Sequence, residues 1–541
     1  MPASPILSPS KSIPALILLS GACWWLSFDL HLHWWWPIWI APAPILYLAP
    51  KVKASQAFLI AFLSLLIGRL SWLSYLASVL PLVPTLLFTL LYPLVFALLI
   101  LPARKVILSR PPAIAIFSFP LLWTSFEFLT FLVTRDGTIA SFAYTQCDLI
   151  PIMQLASITG ITGITFLISF IPSVIAVYTK EKRILHGLAI ALVPAALVLI
   201  FGLFRMHSTN PNPYLPVGLV SIAEKNYGNI LDGQAQQEWT VADRYIKATQ
   251  IVAGRGAQII LLPEKVISVT DSTDEPISNN FQKEAQRLGV TIIAGYTRIY
   301  TRYAGTNAST PKNSPYYENQ ARVFSPQGTP QLNYVKAHLF EGESAEGFKA
   351  GKNPGLFNLT LNDAPETRPA PPQSAHDSPP SPPSARLAPS PTPDSARQSA
   401  PPVTSGVAIC KDFDFHQYMR SYSQARILFG PAWDFHRDGW WHSRIAMTRG
   451  IENGYSLVRN ARQGRLTLSD DKGRILAEAN SEKGDDCILL GKIQPAASDT
   501  LYHRWGDWFG WLNLLIALII HLLPHKTLSS ALRSARRSPV R

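Results

Sequence analysis

Charge is scarce in this chain of 541 residues: Asp, Glu, Lys and Arg together make up only 15% of it, and its mean hydropathy is positive. So few charges cannot solvate the whole surface of a chain this long, so part of it belongs in lipid. Cysteine is scarcer still, with Cys23, Cys147, Cys410 and Cys487 far apart. That spacing excludes a disulfide framework, and the lack of any Cys-x-x-Cys excludes the common metal-ligand patterns. Cys23, inside an apolar run, reads as a small buried hydrophobe, while a Cys410–Cys487 bridge stays open because both lie near strand ends. A net charge of +13 would suit nucleic acid, yet the cations form short clusters beside apolar runs without a recognition motif, so no nucleic-acid partner is expected.

What the chain has in plenty is long apolar runs. A membrane span needs about 20 mostly apolar residues, and such runs are expected as spans at 13–29, 34–50, 55–78, 82–102, 112–134, 161–179 and 185–205. Six further runs after the first argue against a cleaved signal peptide. Lys51 and Lys53, then Arg104, Lys105 and Arg110, then Lys180, Lys182 and Arg183 fall in alternate loops, which places those loops in the cytoplasm. The opposite loops hold few cations, Arg135 being the main exception. A last run from Trp508 to Leu523 precedes a tail with Lys526, Arg533, Arg536, Arg537 and Arg541. These eight spans put residues from about 210 to 505 outside the cytoplasm.

That outer segment follows other rules. Strand-like runs at 214–224, 257–265, 290–298, 318–326, 405–415, 425–435, 455–462 and 485–493 alternate with helix-like stretches at 236–253, 277–289 and 441–453. Asp470-Asp471-Lys472-Gly473 between two apolar triplets predicts a hairpin. The alternation predicts a layered α/β domain, and about 280 residues suffice for a large core. From 363 to 402 the chain is Pro, Ser and Ala with almost no large apolar side chains, so it reads as a disordered insert; an ordered lid is the rival reading.

Three segments end in groups that carry chemistry. Gly406-Val407-Ala408-Ile409-Cys410-Lys411-Asp412 reads as a strand delivering a thiol to a turn, Ile259-Ile260-Leu261-Leu262-Pro263-Glu264-Lys265 ends in a carboxylate, and Leu332-Asn333-Tyr334-Val335-Lys336-Ala337-His338-Leu339 carries an amine. A thiol attacks only as thiolate, so Cys410 needs a base such as Glu264. Lys336 could stabilise the oxyanion that forms on an acyl carbonyl. Taken singly, Glu264 and Lys336 could equally be solvated charges.

Together, these segments resemble the nitrilase superfamily, whose members carry a Glu-Lys-Cys triad on a four-layer α-β-β-α sandwich. Seven spans, such a domain and a closing span resemble the bacterial apolipoprotein N-acyltransferase family over nearly the whole chain. Arg449-Gly450-Ile451-Glu452-Asn453-Gly454 with Leu457-Val458-Arg459, and Tyr144-Thr145-Gln146 and Gln154-Leu155-Ala156 with Gly160 and Gly163, also match the family's pattern. The resemblance implies a multi-pass α-helical membrane domain over 1–210, an extracytoplasmic nitrilase-like α/β domain over 211–500, and a closing helix with a basic tail over 501–541. It implies catalytic Glu264, Lys336 and Cys410, a phospholipid acyl donor, a diacylglyceryl lipoprotein acceptor, residence in the bacterial inner membrane, and no cofactor or metal.

The match departs after the lysine. Leu339-Phe340-Glu341-Gly342-Glu343 is one residue shorter than the family's segment and lacks its proline, so Glu343 corresponds to the family's loop glutamate with Glu341 as rival. Asp412 stands where glutamate is more usual, and Pro431-Ala432-Trp433-Asp434-Phe435-His436 replaces a strand exit richer in Asn and Ser. These changes keep a membrane-tethered amide hydrolase open as the alternative, and a non-catalytic scaffold binding through the Pro-rich insert as a third. Trp24, Trp25, Trp34, Trp35 and Trp36 are expected to form an interfacial aromatic belt, and His31 and His33 beside them to be bland loop residues. Arg69, costly in an apolar run, either lines a lipid-entry cavity or snorkels to the interface. Trp440, Trp441 and His442 are expected to pack the start of a helix.

Overall fold

The computed structural model describes residues 9–223, 235–300, 316–359, 402–496 and 498–522. The Pro-rich insert, but for Pro402, and the basic tail lie outside the described residues.

The first half is helical: α1 (Pro9–Phe28), α2 (Ala54–Arg69), α3 (Leu82–Ser109), α4 (Ser118–Val133), α5 (Ile161–Lys180) and α6 (Ile184–Met206). Five helical stretches among the described residues are long and apolar enough to cross a membrane, the first of them running on from α2 to Val79. The apolar part of α1, from Ser12, and a closing helix, Trp508–Leu522, are shorter.

The run expected as a second span, 34–50, is not one helix. It breaks into a turn at Pro37–Trp39, a short helix at Ala43–Leu48 and a turn at Ala49–Lys51. Pro37, Pro42, Pro44 and Pro50 each lack a backbone donor and restrict the residue before them, so an apolar composition does not yield a continuous ladder. Its side chains Ile38, Ala41, Ile45 and Leu46 are buried among the neighbouring helices.

Two more expectations change in this half. Trp24 is fully buried and stacks on Phe28 at 5.9 Å, so it leaves the expected belt, while Trp25, Trp34, Trp35 and Trp36 are exposed. Arg69 does not snorkel: it is 3% exposed and faces the rings of Trp72, Tyr92 and Phe28 at 5.1, 5.2 and 5.9 Å. Aromatic faces offset part of the cost of burying that cation.

The second half is a four-layer sandwich. Its strands are β1 (Leu215–Ser221), β2 (Ile259–Leu261), β3 (Ile267–Val269), β4 (Thr291–Tyr300), β5 (Tyr316–Phe324), β6 (Pro330–Val335), β7 (Gly355–Leu359), β8 (Val403–Val407), β9 (Ile427–Trp433), β10 (Ser456–Arg462), β11 (Arg465–Ser469), β12 (Ile475–Asn480) and β13 (Cys487–Ile493). One sheet runs β13-β1-β2-β4-β5-β6 with β3 paired to β4; the other runs β12-β11-β10-β9-β8-β7. β11 and β12 form the expected hairpin around Asp470–Gly473.

Strand alternation builds the layers. Successive side chains point to opposite faces, so Ile259 and Leu261 join Ile427, Phe429 and Val458 between the sheets, while Ile260 and Leu262 face α7 (Ala235–Gly254) and α8 (Asp274–Leu288). On the far side, Leu428 and Leu457 pack with Ile445 and Ile451 of a further helix, Gly439–Asn453, in a cluster that continues through Phe142, Trp123 and Trp24. The helical half and the second sheet therefore share one apolar core.

Trp440 and Trp441 do begin that helix, and Trp441 also donates to the Ile139 carbonyl at 2.8 Å. His33 stacks on Trp440 at 4.0 Å. Neither Cys410 nor Cys487 is bridged: Cys487 lies in β13, in the other sheet from the strand before Cys410, and all four cysteines are free.

Candidate active site

Three strand ends meet in one cleft. β2 runs out at Leu261, and the chain turns through Pro263 to Glu264, whose side chain is 2% exposed. A Cβ on Gly295 of β4 would stand 2.1 Å from the Pro263 carbonyl oxygen, so only glycine lets that turn lie against the strand. β6 ends one residue before Lys336, whose N–H donates to Asn319 at 2.8 Å. β8 ends at Val407, and Cys410 opens a tight turn, Cys410–Asp414, with φ at 43°. Left-handed backbone is disfavoured for a residue with a Cβ and recurs at functional sites.

Asp412 underpins this turn. Its carboxylate accepts from Ile409 N–H at 2.9 Å, Tyr334 Oη at 2.6 Å and His338 N–H at 2.8 Å, tying the cysteine turn to the end of β6. Asp412 therefore shapes the backbone beneath the thiol.

The charged groups form a chain. Lys336 Nζ donates to Glu264 Oε1 and to Glu343 Oε2, both at 2.8 Å. Asn319 Nδ2 bridges the same two carboxylates, at 2.6 Å to Glu264 and 2.8 Å to Glu343. Lys265 Nζ closes the chain on Glu343 Oε1 at 2.9 Å. Glu343 is held because it sits at the third position of α9 (Glu341–Glu346), where Phe340 N–H donates to it at 2.9 Å. Glu341, two residues earlier at the first position of the same helix, is exposed. The shortened lysine segment thus delivers Glu343 into the cleft and leaves its rival outside.

Electrostatics give each group a state. Burial alone would pull the Lys336 ammonium down, but Glu264, Glu343 and Cys410 hold it well above the usual lysine range. Burial pushes against ionisation of Glu343, yet the charges of Lys336 and Lys265 keep it below the usual carboxylate range. Burial drives the Cys410 thiol well above its ordinary value, Glu264 adds to that, and Lys336 opposes it. The resting thiol is protonated, and its Sγ lies 3.5 Å from the Trp433 carbonyl oxygen. Glu264 Oε2 is buried without a hydrogen-bond partner, so one lone-pair site stands ready for a proton. A protonated thiol, a carboxylate with a free oxygen and a fixed ammonium are the parts of covalent acyl transfer.

The cysteine turn is seated on the helical half. Thr138 donates to the Asp414 carbonyl through N–H at 2.9 Å and Oγ1 at 2.8 Å, and Lys411 Nζ pairs with Asp136 Oδ1 at 3.3 Å. Gly137 (φ 55°) permits this approach, since a Cβ there would come within 2.4 Å of the Asp414 oxygen. Glu127 of α4 accepts four hydrogen bonds, from Trp123, Phe142, Ser141 and Thr165, which fix the next turn, Phe142–Gln146.

Asn319 and Lys265 are the functional candidates that the linear reading missed. Asn319 sits in β5 as one polar residue among several, and Lys265 follows Glu264 directly with nothing in the pattern to aim it at Glu343.

Comparison with known proteins supplies the family. A model described as the apolipoprotein N-acyltransferase N-terminal domain matches residues 20–174, and one described as carbon-nitrogen hydrolase matches residues 228–501. The chain belongs to the apolipoprotein N-acyltransferase family of carbon-nitrogen hydrolases. Among its relatives in this family, the apolipoprotein N-acyltransferase of Geobacter metallireducens is 24% identical over 519 residues, covering 90% of each chain. That of Pasteurella multocida is 24% identical over 452 residues, covering 79% of this chain and 77% of its own. Among solved structures, an amidase from Nesterenkonia sp. aligns at 14% identity and a TM-score of 0.37, over 57% of this chain and 99% of its own. Membership makes the chain an enzyme with membrane-spanning helices and a nitrilase-type sandwich.

Proposed function

We propose that this enzyme moves an acyl chain from a phospholipid to the N-terminal amine of a diacylglyceryl-cysteine on apolipoproteins, by way of a thioester on Cys410. The observation that carries the reading is the junction of the charged chain Glu264–Lys336–Glu343 with a cysteine turn bonded directly to the helical half through Thr138 and Asp414. A nucleophile seated there is within reach of lipid.

In the first half-reaction, Glu264 Oε2 takes the Cys410 proton as sulfur attacks the ester carbonyl. Lys336 stabilises the oxyanion. The C–O bond then breaks, and Glu264 returns the proton to the leaving lysophospholipid oxygen. In the second, the acceptor amine attacks the thioester, Glu264 takes its proton, the C–S bond breaks, and Glu264 passes that proton to the departing sulfur to restore the thiol. A covalent intermediate lets two bulky lipids use one site in turn.

The same reading divides the chain into a membrane part over 1–210 and 501–541 and a catalytic part over 211–500 outside the cytoplasm, in the inner membrane. Support comes from the cationic loops, which gather at the helix ends away from the sandwich: Arg104 donates to the Ala49 and Val52 carbonyls at 2.8 Å each, and Lys180 to Ile107 at 3.4 Å.

The test is turnover of a synthetic diacylglyceryl-cysteinyl peptide with phospholipid in detergent. The peptide should gain one acyl mass with wild type and none with Cys410→Ala. Release of free fatty acid with no peptide product would replace this reading by the hydrolase.

A further inference from the structure

Two lysines, not one, stand among the buried carboxylates of the cleft, and the second has no part in the transfer steps above. Glu343 divides its oxygens between them: Oε2 takes Lys336 at 2.8 Å and Phe340 N–H at 2.9 Å, while Oε1 takes Lys265 at 2.9 Å and Asn319 at 2.8 Å. The Lys265 ammonium is boxed by two aromatic faces, Trp433 at 4.9 Å and Phe348 at 5.2 Å, and its side chain is only 11% exposed. Its backbone is left-handed, with φ at 53°. Glycine or asparagine would hold that conformation with less strain, so the strained turn serves to deliver a cation.

Charge counting says why a second cation matters. Glu264, which faces the thiol, and Glu343 behind it are two carboxylates, and Lys336 alone would be shared between both; the other charged groups facing Cys410, Asp434 and Arg459, pair with each other at 2.5 Å. With Lys265 on Glu343 the square of four groups is neutral before any charge forms on sulfur or on a substrate oxygen. The Trp433 residue whose ring covers Lys265 is also the one whose carbonyl meets Cys410 Sγ, so the second cation lies along the same wall as the thiol.

We propose that Lys265 is a positioning residue that clamps and neutralises Glu343, freeing the Lys336 ammonium for the negative charge that develops at Cys410. The proposal rests on the reading of Cys410 as the nucleophile.

The test is the pH dependence of Cys410 alkylation by iodoacetamide in the full-length, detergent-purified protein, located by peptide mapping, for wild type, Lys265→Met, Lys265→Gln and Lys265→Arg. Removing this unit charge should raise the alkylation midpoint by several tenths of a pH unit or more in Lys265→Met and Lys265→Gln. Lys265→Arg, which keeps the charge, should stay near wild type. A purely structural role would lower the thermal midpoint without moving the alkylation midpoint. An unshifted midpoint in Lys265→Gln, which keeps a donor toward Glu343 and decides the matter even if Lys265→Met does not fold, overturns the proposal. Failure of wild-type Cys410 to alkylate at any pH overturns the nucleophile reading itself, a different outcome from an unshifted midpoint.

Discussion

Substituting Glu343→Gln should separate two glutamates that lie two positions apart in sequence and in opposite environments. Glu343 is 4% exposed and accepts from Lys336, Lys265, Asn319 and the Phe340 N–H; Glu341 is exposed. A neutral amide leaves two buried ammonium groups facing it, and its own NH2 must point at one of those donors. Breaking a buried ion pair by removing one partner costs about 3–5 kcal/mol. For a domain of this size that is a drop of roughly 6–20 °C in thermal midpoint at fixed scan rate. Because the folded Glu343 carboxyl is held below its unfolded value, its contribution is complete above the unfolded range near pH ~4.3 and is lost as pH falls through the folded value. Wild type should therefore lose stability on acidification more steeply than Glu343→Gln. Acyl transfer should fall by at least about a hundredfold, since Lys336 loses one of its two anchors. Glu341→Gln should match wild type in midpoint and turnover. The reasoning is refuted if the two variants behave alike.

Other outcomes follow from the seat of the cysteine turn and from the buried imidazole beside it. Gly137→Ala places a Cβ 2.4 Å from the Asp414 oxygen at a positive φ, so the turn must shift and acyl transfer should drop about tenfold or more while the far hairpin of β11 and β12 keeps its hydrogen-exchange protection. His442, paired with Asp438 at 3.1 Å, has its imidazolium opposed by burial but favoured more by Asp438, which raises it to about 9. That stabilisation is fully present below the unfolded histidine value near pH ~6.5 and is lost as pH rises through the folded one. Thermal midpoints measured from pH 6.5 to 9.5 should fall more steeply in wild type than in His442→Gln; parallel curves would contradict the assignment.

Much of the fold was legible because period and composition agree. The segments closing on Glu264 and Cys410 are apolar runs that end in a polar break, whereas the strand before Lys336 alternates polar Gln331 and Asn333 with Leu332 and Tyr334; the helices at 235–254, 274–288 and 439–453 lie within a few residues of their expected bounds. The run at 34–50 misled because hydropathy counts apolar side chains and is blind to the donors that its four prolines remove. Trp24 and Trp25 part for a related reason: neighbours in sequence on a helix are turned by about 100° from one another, so Trp24 enters the core while Trp25 stays exposed. Within the cleft, the choice between Glu341 and Glu343 turned on the register of a six-residue helix, which no periodicity reports. Asn319 and Lys265 were invisible because their roles exist only across strands, from β5 to the turn after β2 and from that turn to α9.

The central claim is that Cys410 carries the acyl chain between two lipids. Intact-mass measurement of the detergent-purified enzyme, incubated with a phospholipid of defined chain length, reads that step directly. The account predicts one acyl adduct mapped to Cys410, absent in Cys410→Ala, that disappears when a diacylglyceryl-cysteinyl peptide is added and reappears on the peptide amine. An adduct on any other residue, or peptide acylation by Cys410→Ala, would contradict it.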